Sequence, residues 1–334
     1  MPAVSVITPV YNTAPFIERC VRSLMEQTFQ DIEYIFVDDN TPDNSIEILQ
    51  TVLKEYPDRN VQIITHNTNK GLAAARRTGI DNAKGDYILM CDSDDYVEHN
   101  MVLLLYEKAV KENADIAVCD MYDEYGDYRI LCEDLVVDNR VENFKNLLVH
   151  EKTQASLVNK LVRKHLFDNP ETIVPQGVSY LEDFFVTLRL YYFANIIVKV
   201  NVPLYHYVKY NTNAITRNVT ERHFQDAIIF YKTLKEFLAS QSNMQNHTLT
   251  AQTMHEIITA LEVQTKLRLL WGVRNAKLRY KYSAIFSESE KQLRKTVKLS
   301  DKLMLYFSRS NDLYGITSLL KYAMEIKHRL SSQA

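Results

Sequence analysis

The sequence has few glycines, seven in 334 residues, and it lacks the glycine-rich phosphate loops. A Rossmann dehydrogenase needs Gly-x-Gly-x-x-Gly after its first strand, and a Walker NTPase needs Gly-x-x-x-x-Gly-Lys-Ser/Thr. The first strand-like segment is followed instead by Pro9-Val10-Tyr11-Asn12. Both classes are therefore excluded, and a sugar-nucleotide nucleotidyltransferase, which needs a glycine-rich loop near residue 10, is disfavoured. Any phosphate bound here is more readily neutralised by a metal ion.

The sequence also lacks paired cysteines and long apolar runs. Its four cysteines show no Cys-x-x-Cys spacing, which argues against a zinc site or a disulfide framework and predicts reduced thiols. No segment reaches the roughly 18 apolar residues that a membrane-spanning helix needs. No signal peptide precedes Val4. Together these absences predict a cytoplasmic protein.

Charge is nearly balanced over the whole chain, with a net charge of −3, so the composition predicts no nucleic-acid partner. Residues 265–298 are an exception, with ten Lys and Arg against two Glu, interleaved with Leu, Trp, Tyr and Phe. A basic amphipathic helix of this kind can bind an anionic membrane surface, and it can equally be an ordinary solvated helix. Sedimentation with anionic liposomes distinguishes the two.

Short apolar segments alternate with helical patterns over the first third of the chain. This alternation predicts an α/β fold with a mostly parallel sheet, buried strands and helices on both faces. The predicted strands are Val4–Thr8, Tyr34–Val37, Val61–Thr65, Tyr87–Met90 and Ile116–Cys119. The predicted helices between them are Pro15–Glu26, Ser45–Tyr56, Leu72–Ala83 and Glu98–Glu112.

The pattern changes after residue 120. Shorter mixed elements follow, with a helix predicted at Leu181–Ala194 and strands at Ile196–Val200 and Leu204–Val208. From about residue 220 onward, helical periodicity dominates. We therefore predict an α/β domain over residues 1–215, itself divided near residue 120, and a helical C-terminal domain over residues 216–334.

Polar and aromatic residues follow four of the predicted strands. In an open parallel sheet, ligands bind beyond the carboxyl ends of the strands, so chemistry is expected in these loops. The loops are Pro9–Asn12, Asp38–Thr41, His66–Gly71 and Asp92–Asp95, and Arg76 and Arg77 lie just beyond the third. An aromatic side chain, two acidic clusters and a basic segment thus converge on one edge of the predicted sheet.

The acidic segment after the fourth strand can be interpreted in two ways. Asp92 and Asp94, two residues apart in extended chain, project to the same side and can share Mg²⁺ or Mn²⁺. The alternative is helix capping, and Asp95 followed by Glu98 resembles a capping box. We predict that Asp95 caps the following helix, which leaves Asp92 and Asp94 for a metal ion.

The Asp38-Asp39 pair and Tyr11 also allow two interpretations. The carboxylates can belong to the turn before the helix at Ser45, with Asp43 as a further cap, or one can accept a hydrogen bond from a ligand N–H. Tyr11 can be a core residue or can stack on a flat ring. Because these residues follow neighbouring strands, we favour ligand binding.

Three segments of the sequence resemble family 2 glycosyltransferases of the GT-A fold. They are VSVITPVYNTAPFIERCVRSLMEQTFQDIEYIFVDDNTPDNS, NKGLAAARRTGI and GDYILMCDSDDYV. The resemblance is dense over residues 3–120, thins towards residue 210 and is absent beyond. It implies a Rossmann-like, mostly parallel sheet followed by a C-terminal helical region. It also implies inverting transfer of a sugar from a UDP-sugar, with Mn²⁺ or Mg²⁺ as cofactor.

The resemblance assigns roles to the residues at the strand ends. Residues 1–120 would be the nucleotide-binding half and residues 121–215 the acceptor half. Tyr11 would lie beside the base, Asp92 near the ribose, and Asp94 would reach the metal ion on the diphosphate. Arg76 or Arg77 would support the nucleotide, and the resemblance does not choose between them. The predicted nucleotide- and metal-binding set is Pro9, Tyr11, Asn12, Asp39, Lys70, Arg76, Arg77, Asp92, Ser93 and Asp94.

Later segments match the family at single steps. Glu182-Asp183 resembles the acidic motif whose Asp is the catalytic base, with Glu182 as an acceptor contact; the alternative is an ordinary helix N-terminus. Asn159-Lys160 resembles a family step that implies an acceptor or phosphate contact. His206 could bind a metal ion or cover the nucleotide, although a lone histidine in a strand is more often packed, which we favour.

The resemblance therefore implies an inverting, metal-dependent hexosyl- or N-acetylhexosaminyltransferase. Its acceptor would be a hydroxyl of a glycan or lipid-linked molecule, in the synthesis of a cell-surface polysaccharide at the inner face of the membrane. Two alternatives stay open, a nucleotidyltransferase and a non-catalytic GT-A-like module that binds nucleotide or glycan. Replacing Asp183 separates the catalytic prediction from the non-catalytic one.

Overall fold

The computed structural model describes residues 1–148, 153–175, 178, 181–211 and 221–241. The chain divides into two compact units, Met1–Ala214 and Ile215–Ala334. The first unit is an α/β structure, which confirms the predicted fold class. In the second unit, the described part is a helix, α7 (Glu221–Gln241). The rest of the predicted helical domain, including the basic segment 265–298, lies outside the described residues.

A nine-stranded mixed sheet runs through the described part of the first unit. Its strands are β1 (Val4–Val10), β2 (Ile32–Asp38), β3 (Asn60–Thr65), β4 (Tyr87–Met90), β5 (Tyr96–Val97), β6 (Ile116–Glu124), β7 (Arg129–Cys132), β8 (Lys160–Arg163) and β9 (Ile197–Val208). Their order is β3-β2-β1-β4-β8-β6-β9-β5, and β7 pairs with β6. The helices are α1 (Ile17–Met25), α2 (Ser45–Leu53), α3 (Leu72–Asn82), α4 (Met101–Lys111), α5 (Arg140–Leu148) and α6 (Glu182–Phe193).

The first four predicted strands form the parallel half of the sheet. β1 pairs in parallel with β2 and β4, and β2 pairs in parallel with β3. β1, β2 and β4 are buried along their whole length, as expected for strands covered on both faces. β3 is an edge strand whose residues are partly exposed. The parallel register places Val10, Asp38 and Thr65 side by side, so the loops that follow lie at one edge.

Helix α3 lies directly against this half of the sheet. Gly79 of α3 faces Ile7 of β1, and a Cβ on Gly79 would lie 2.3 Å from Ile7 Cγ2. This distance is far below van der Waals contact, so a side chain at this position would push the helix away from the sheet. The glycine therefore fixes how closely α3, which carries Arg76, approaches β1.

Beyond β4 the sheet is not a continuation of the parallel pattern. β8 runs antiparallel between β4 and β6, and β5 and β7 also pair antiparallel with their neighbours. The two strands predicted between residues 196 and 208 are one strand, β9, which pairs in parallel with β6 and shifts register at Asp120. The sequence did not predict β5, β7, β8 or α5, because these elements are short and lack a clear apolar period.

Candidate active site

Three carboxylates from two parts of the chain converge on Arg76 of α3. Nη2 of Arg76 donates to both carboxylate oxygens of Asp92, at 2.8 and 3.1 Å. Nη1 donates to Glu182 Oε1 at 3.3 Å and also to Asp183 Oδ1. The Arg76 side chain is 5% exposed, whereas that of Asp183 is 25% exposed. We call these four residues the carboxylate cluster; Asp183 is its most accessible member.

An unusual backbone conformation brings two of these carboxylates to Arg76. Leu181, immediately before α6, adopts left-handed torsion angles of φ 65° and ψ 18°. A leucine rarely takes this conformation, and such strain persists where the surrounding structure enforces it, often at functional sites. The chain turns sharply at Leu181, so Glu182 and Asp183 occupy the first turn of α6. Asp92 reaches the same place because it follows β4 by two residues.

The carboxylate cluster holds one cation against three acids, so burial favours a proton on one of them. Burial raises the pKa of Glu182 to about 8, with repulsion from Asp183 adding to the rise and Arg76 opposing it. Burial also raises the pKa of Asp183, and Arg76 partly offsets this. For Arg76 the effect of burial is outweighed by the charges of Asp183, Asp92 and Glu182, which raise its pKa. Near neutral pH, Glu182 is therefore expected to carry the proton.

We expect the Glu182→Gln variant to lose part of the pH dependence of folding stability. The pKa of Glu182 is about 8 in the folded protein against an ordinary value of 4.5, so the folded protein retains a proton on Glu182 between these pH values. This contribution to stability is complete below the lower value and is lost as pH rises through the upper one. Glutamine keeps the neutral hydrogen-bonding group at every pH. The difference in the free energy of unfolding, Glu182→Gln minus wild type, should therefore rise by more than about 1 kcal/mol between about pH 5.5 and about pH 8.

Urea unfolding of both proteins at the two pH values measures this difference. Glu171→Gln provides a control because Glu171 is exposed. A difference between the Glu182 variant and the wild-type protein that stays constant with pH would contradict the raised pKa.

Asp95 is not a helix cap, so that prediction is wrong. β5 lies between Asp95 and α4, which begins only at Met101. Asp95 is fully buried and accepts hydrogen bonds from Tyr205 Oη at 2.6 Å and from the Val208 N–H at 2.7 Å. Burial raises its pKa well above the ordinary value, and repulsion from the neighbouring aspartates adds to the rise. These two hydrogen bonds connect the acidic segment to β9.

The residues around Asp95 alternate between the core and the cleft. Ser93 is buried and its hydroxyl lies 3.0 Å from Thr13 Oγ1, which donates to it. Asp92 and Asp94 are partly exposed. Asn211 Nδ2 donates to Asp94 Oδ2 at 2.7 Å, a contact that no sequence pattern indicated. Burial, followed by repulsion from Asp92, raises the pKa of Asp94.

Asp92 and Asp94 have the donor chemistry for a hard divalent cation. Their carboxylate oxygens suit Mg²⁺ or Mn²⁺, which fill their remaining positions with water and phosphate oxygens. Among the described residues, no cluster of three or more His, Cys, Asp or Glu side chains forms a complete metal site.

Asp39 organises the loop after β3. Its Oδ1 accepts from the Lys70 N–H at 2.8 Å and its Oδ2 from the Gly71 N–H at 2.7 Å. His66 Nδ1 lies 2.8 Å from Asp39 Oδ1. Gly71 has a φ of 88°, a conformation that glycine adopts without strain. A carboxylate oxygen can accept more than one hydrogen bond, so a ligand N–H could still bind beside these donors.

The loop after β1 presents Tyr11 at the same edge of the sheet. Tyr11 is 46% exposed, so one side of its ring is available to a flat partner. Asn12, at a φ of 55°, directs its backbone N–H to Thr41 Oγ1 at 2.7 Å, which joins the first two loops. Pro9 is buried within β1 opposite Val37 and contributes to the sheet.

The structure separates Arg76 from Arg77. Arg77 pairs with Asp81 at 2.5 Å and donates to the Phe167 carbonyl at 3.1 Å, outside the carboxylate cluster. Successive residues of an α-helix differ by about 100° in direction, so only one of the two can face β4. The side chain of Lys70, in the loop that precedes α3, is exposed.

Asn159 and Lys160 belong to a buried network beneath the site. Lys160 Nζ donates to the Gln154 and Ser156 carbonyls at 2.8 Å each and to Asn159 Oδ1 at 2.7 Å. Asn159 Nδ2 donates to Asp134 Oδ2 at 2.7 Å. Burial lowers the pKa of Lys160, and its charge in turn opposes the raised pKa of Asp183. These contacts indicate that Asn159 and Lys160 stabilise the structure beneath the site and do not bind the acceptor directly.

His206 is held in a packed environment. Its Nδ1 lies 2.8 Å from Glu124 Oε1 and its Nε2 lies 2.9 Å from Glu98 Oε1. Its ring stacks on Tyr96 with centroids 4.2 Å apart. Both ring nitrogens are therefore engaged by carboxylates, which fits the packing role that we favoured.

Comparisons with known proteins agree with this geometry. Residues 5–146 match the model of the family described as glycosyl transferase family 2. EpsJ of Bacillus subtilis, described as an uncharacterized glycosyltransferase, is 34% identical over 247 residues, covering 69% of this chain and 70% of that relative. TarS 1-349 of S. aureus in complex with UDP-GlcNAc superposes with a TM-score of 0.69 at 17% identity, covering 97% of this chain and 92% of TarS 1-349. The mannosyltransferase PcManGT from Pyrobaculum calidifontis, in complex with GDP-Man and Mn²⁺, superposes with a TM-score of 0.52 at 15% identity. This match covers 97% of this chain and 85% of PcManGT. At these identities the two solved structures show a shared fold.

Proposed function

The chain belongs to glycosyltransferase family 2 and is a glycosyltransferase, and from this premise we propose an inverting transfer from a UDP-sugar to a glycan or lipid-linked hydroxyl. The observation that carries the proposal is the placement of Asp183. It lies in the first turn of α6, its side chain is a quarter exposed, and it shares Arg76 with Asp92 at the edge of the sheet. A base and a donor-binding carboxylate are thus neighbours.

Inversion needs a base on the side of the acceptor. The acceptor oxygen attacks C1 of the donor sugar opposite the leaving group, and its proton passes to the Asp183 carboxylate. The bond from C1 to the phosphate oxygen breaks, and UDP leaves with the electron pair. Mn²⁺ or Mg²⁺, when bound at Asp92 and Asp94, would neutralise charge on the diphosphate. Arg76 holds Asp183 in place and favours its ionised form.

Several observations support a UDP-sugar as donor. Tyr11 exposes its ring beside the loops that Asp39 organises, where a uracil base could stack and accept or donate hydrogen bonds. TarS 1-349, of similar fold, was crystallised in complex with UDP-GlcNAc, which supports a UDP-sugar. PcManGT is in complex with GDP-Man and Mn²⁺, which supports the metal ion and not the uridine. The role in cell-surface polysaccharide synthesis, which the resemblance implies, stays a prediction.

The location at a membrane stays a prediction. No helix among the described residues is long and apolar enough to cross a membrane. The basic segment 265–298, which would attach the protein to anionic lipid, lies outside the described residues.

Nucleotide binding should depend on metal and on Asp94. We expect UDP with Mn²⁺ to raise the melting temperature, and chelator to remove most of the rise. A ligand at about 100 times its Kd stabilises the native state by about 2.7 kcal/mol. Asp94→Ala should lose the metal-dependent part, whereas Asp58→Ala, at an exposed aspartate, should behave as wild type. Thermal shift with UDP, GDP and their sugars, with and without Mn²⁺, measures this. If UDP raises the melting temperature equally with and without chelator, and equally in the wild-type protein and Asp94→Ala, the result would contradict the metal site.

A further inference from the structure

A buried asparagine from a distant part of the chain contacts Asp94. Asn211 follows the end of β9 by three residues and is 5% exposed. Its Nδ2 donates to Asp94 Oδ2 at 2.7 Å. Because an ionised carboxylate only accepts hydrogen bonds, the amide nitrogen must face Asp94, and the amide oxygen cannot replace it. A carboxylate has about four lone-pair sites, so Asp94 keeps acceptor capacity for a further ligand.

Neighbouring contacts fix the backbone that carries Asn211. The Lys209 N–H donates to the Glu124 carbonyl at 2.7 Å, which continues the pairing of β9 with β6. Arg19 Nη1 donates to Tyr210 Oη at 2.8 Å, which joins the same segment to α1. The segment is therefore held from two sides. A donor on such a segment orients its acceptor, because the donor itself has little freedom to move.

Asn211 is a neutral donor, unlike the partner of Asp92. Arg76 forms an ion pair with Asp92 at 2.8 Å and thereby compensates its negative charge. The amide of Asn211 contacts Asp94 without adding an opposing charge. A hard divalent cation is held by charged oxygen ligands, so a carboxylate that is oriented and still charged suits it. Groups that hydrogen-bond to a metal ligand fix its orientation, and their loss typically lowers metal affinity by about 10–100-fold.

We propose that Asn211 is a positioning residue, which orients the Asp94 carboxylate for the divalent cation that accompanies the nucleotide diphosphate. The inference rests on the proposed function. Without the amide, the Asp94 side chain can rotate, and binding of the cation must restrict it again. The loss should therefore appear in the metal concentration that UDP binding requires, and not in binding of UDP without metal.

Titration of Mn²⁺ at a fixed UDP concentration, followed by thermal shift, tests this role. The measured quantity is the Mn²⁺ concentration at which UDP produces half of the full wild-type rise in melting temperature. We expect this concentration to increase by about 10–100-fold in Asn211→Ala. Asn211→Leu, which keeps a side chain of similar size but has no donor, should give a similar increase. With chelator in place of Mn²⁺, UDP should stabilise both variants as much as it stabilises the wild-type protein.

Asn143→Ala is the matched control. Asn143 is 2% exposed, belongs to α5, and donates from Nδ2 to the Val137 carbonyl at 2.8 Å. It is therefore a buried asparagine that has lost an equivalent hydrogen bond in the variant, away from the acidic segment. We expect a lower melting temperature for the unliganded control and an unchanged Mn²⁺ concentration. Unliganded melting temperatures also show that each variant is folded.

Two results would overturn the role of Asn211. One is a wild-type Mn²⁺ concentration in a folded Asn211 variant, and the other is an equal loss of stabilisation by UDP with and without chelator. Both leave metal-dependent binding of UDP by the wild-type protein, and with it the proposed function, intact. If UDP stabilises the wild-type protein equally with and without chelator, the positioning role fails together with the metal site. If neither UDP nor any UDP-sugar stabilises the wild-type protein, the positioning role and the proposed function both fail.

Discussion

Replacing Asp183 by asparagine should lower the rate of sugar transfer by about 10²–10⁴-fold, the usual contribution of a positioned base. Asparagine keeps the size of the side chain and an oxygen that can accept from Arg76, so the geometry of the carboxylate cluster should survive. It cannot take the acceptor proton. Because Asp183 has no described contact with the loops of Tyr11 or Asp39, the affinity for UDP should stay close to that of the wild-type protein.

Release of UDP from the donor, with one acceptor preparation for all proteins, measures the loss of transfer. Asp168→Asn is a suitable control, since Asp168 is exposed and lies outside the carboxylate cluster. Unchanged turnover in the Asp183 variant would refute its role as base. A wild-type protein that binds UDP-sugar and turns over none of the donors would favour the non-catalytic alternative.

Arg76 links the two halves of the proposed reaction. One edge of its guanidinium binds Asp92, at the end of β4, and the other binds Asp183, at the start of α6. A planar guanidinium with a fixed set of donors suits such bridging better than a lysine ammonium. A ligand that moves Asp92 would therefore also change the position of Asp183. This coupling follows from geometry that the sequence pattern could not show.

The parallel half of the fold was predictable because each strand there is a short apolar run. β4 was predicted at Tyr87–Met90 and is found there, and β1, β2 and β3 differ from prediction by a few residues at their ends. Buried parallel strands need apolar residues on both faces, so they stand out in a sequence. The loops at their carboxyl ends follow from the same topology.

The remaining features depend on partners distant in sequence. Asp95 fails as a cap because Tyr205 and Val208, more than a hundred residues later, supply its hydrogen bonds. β8 begins with Lys160, whose charge argues against a buried strand until Asn159 and two backbone carbonyls are seen around it. A local pattern carries no information on such pairings. The predicted nucleotide-binding roles stay predictions, because they depend on a ligand that a local pattern does not specify either.

Arg76→Met should destabilise the fold by about 3–5 kcal/mol, the usual result of removing one partner from a buried ion pair. Asp92, Glu182 and Asp183 would lose the guanidinium that forms an ion pair with each of them. Arg77→Met is the matched control, one residue further along α3. Arg77 is 35% exposed and pairs with Asp81 at the surface, so its loss should cost less than about 1 kcal/mol. Urea unfolding of the three proteins at about pH 7 gives both values.

The pH dependence of the same measurement identifies the cause of the loss. Arg76 opposes the raised pKa values of Glu182 and Asp183, so its charge stabilises their ionised forms. As pH falls and these groups take up protons, less negative charge is left unpaired in Arg76→Met. The gap between this variant and the wild-type protein should therefore narrow towards about pH 5, whereas the small gap for Arg77→Met should change little. An equal loss for both variants, or a gap for Arg76→Met that does not vary with pH, would mean that packing of the side chain, and not its charge, holds the carboxylate cluster together.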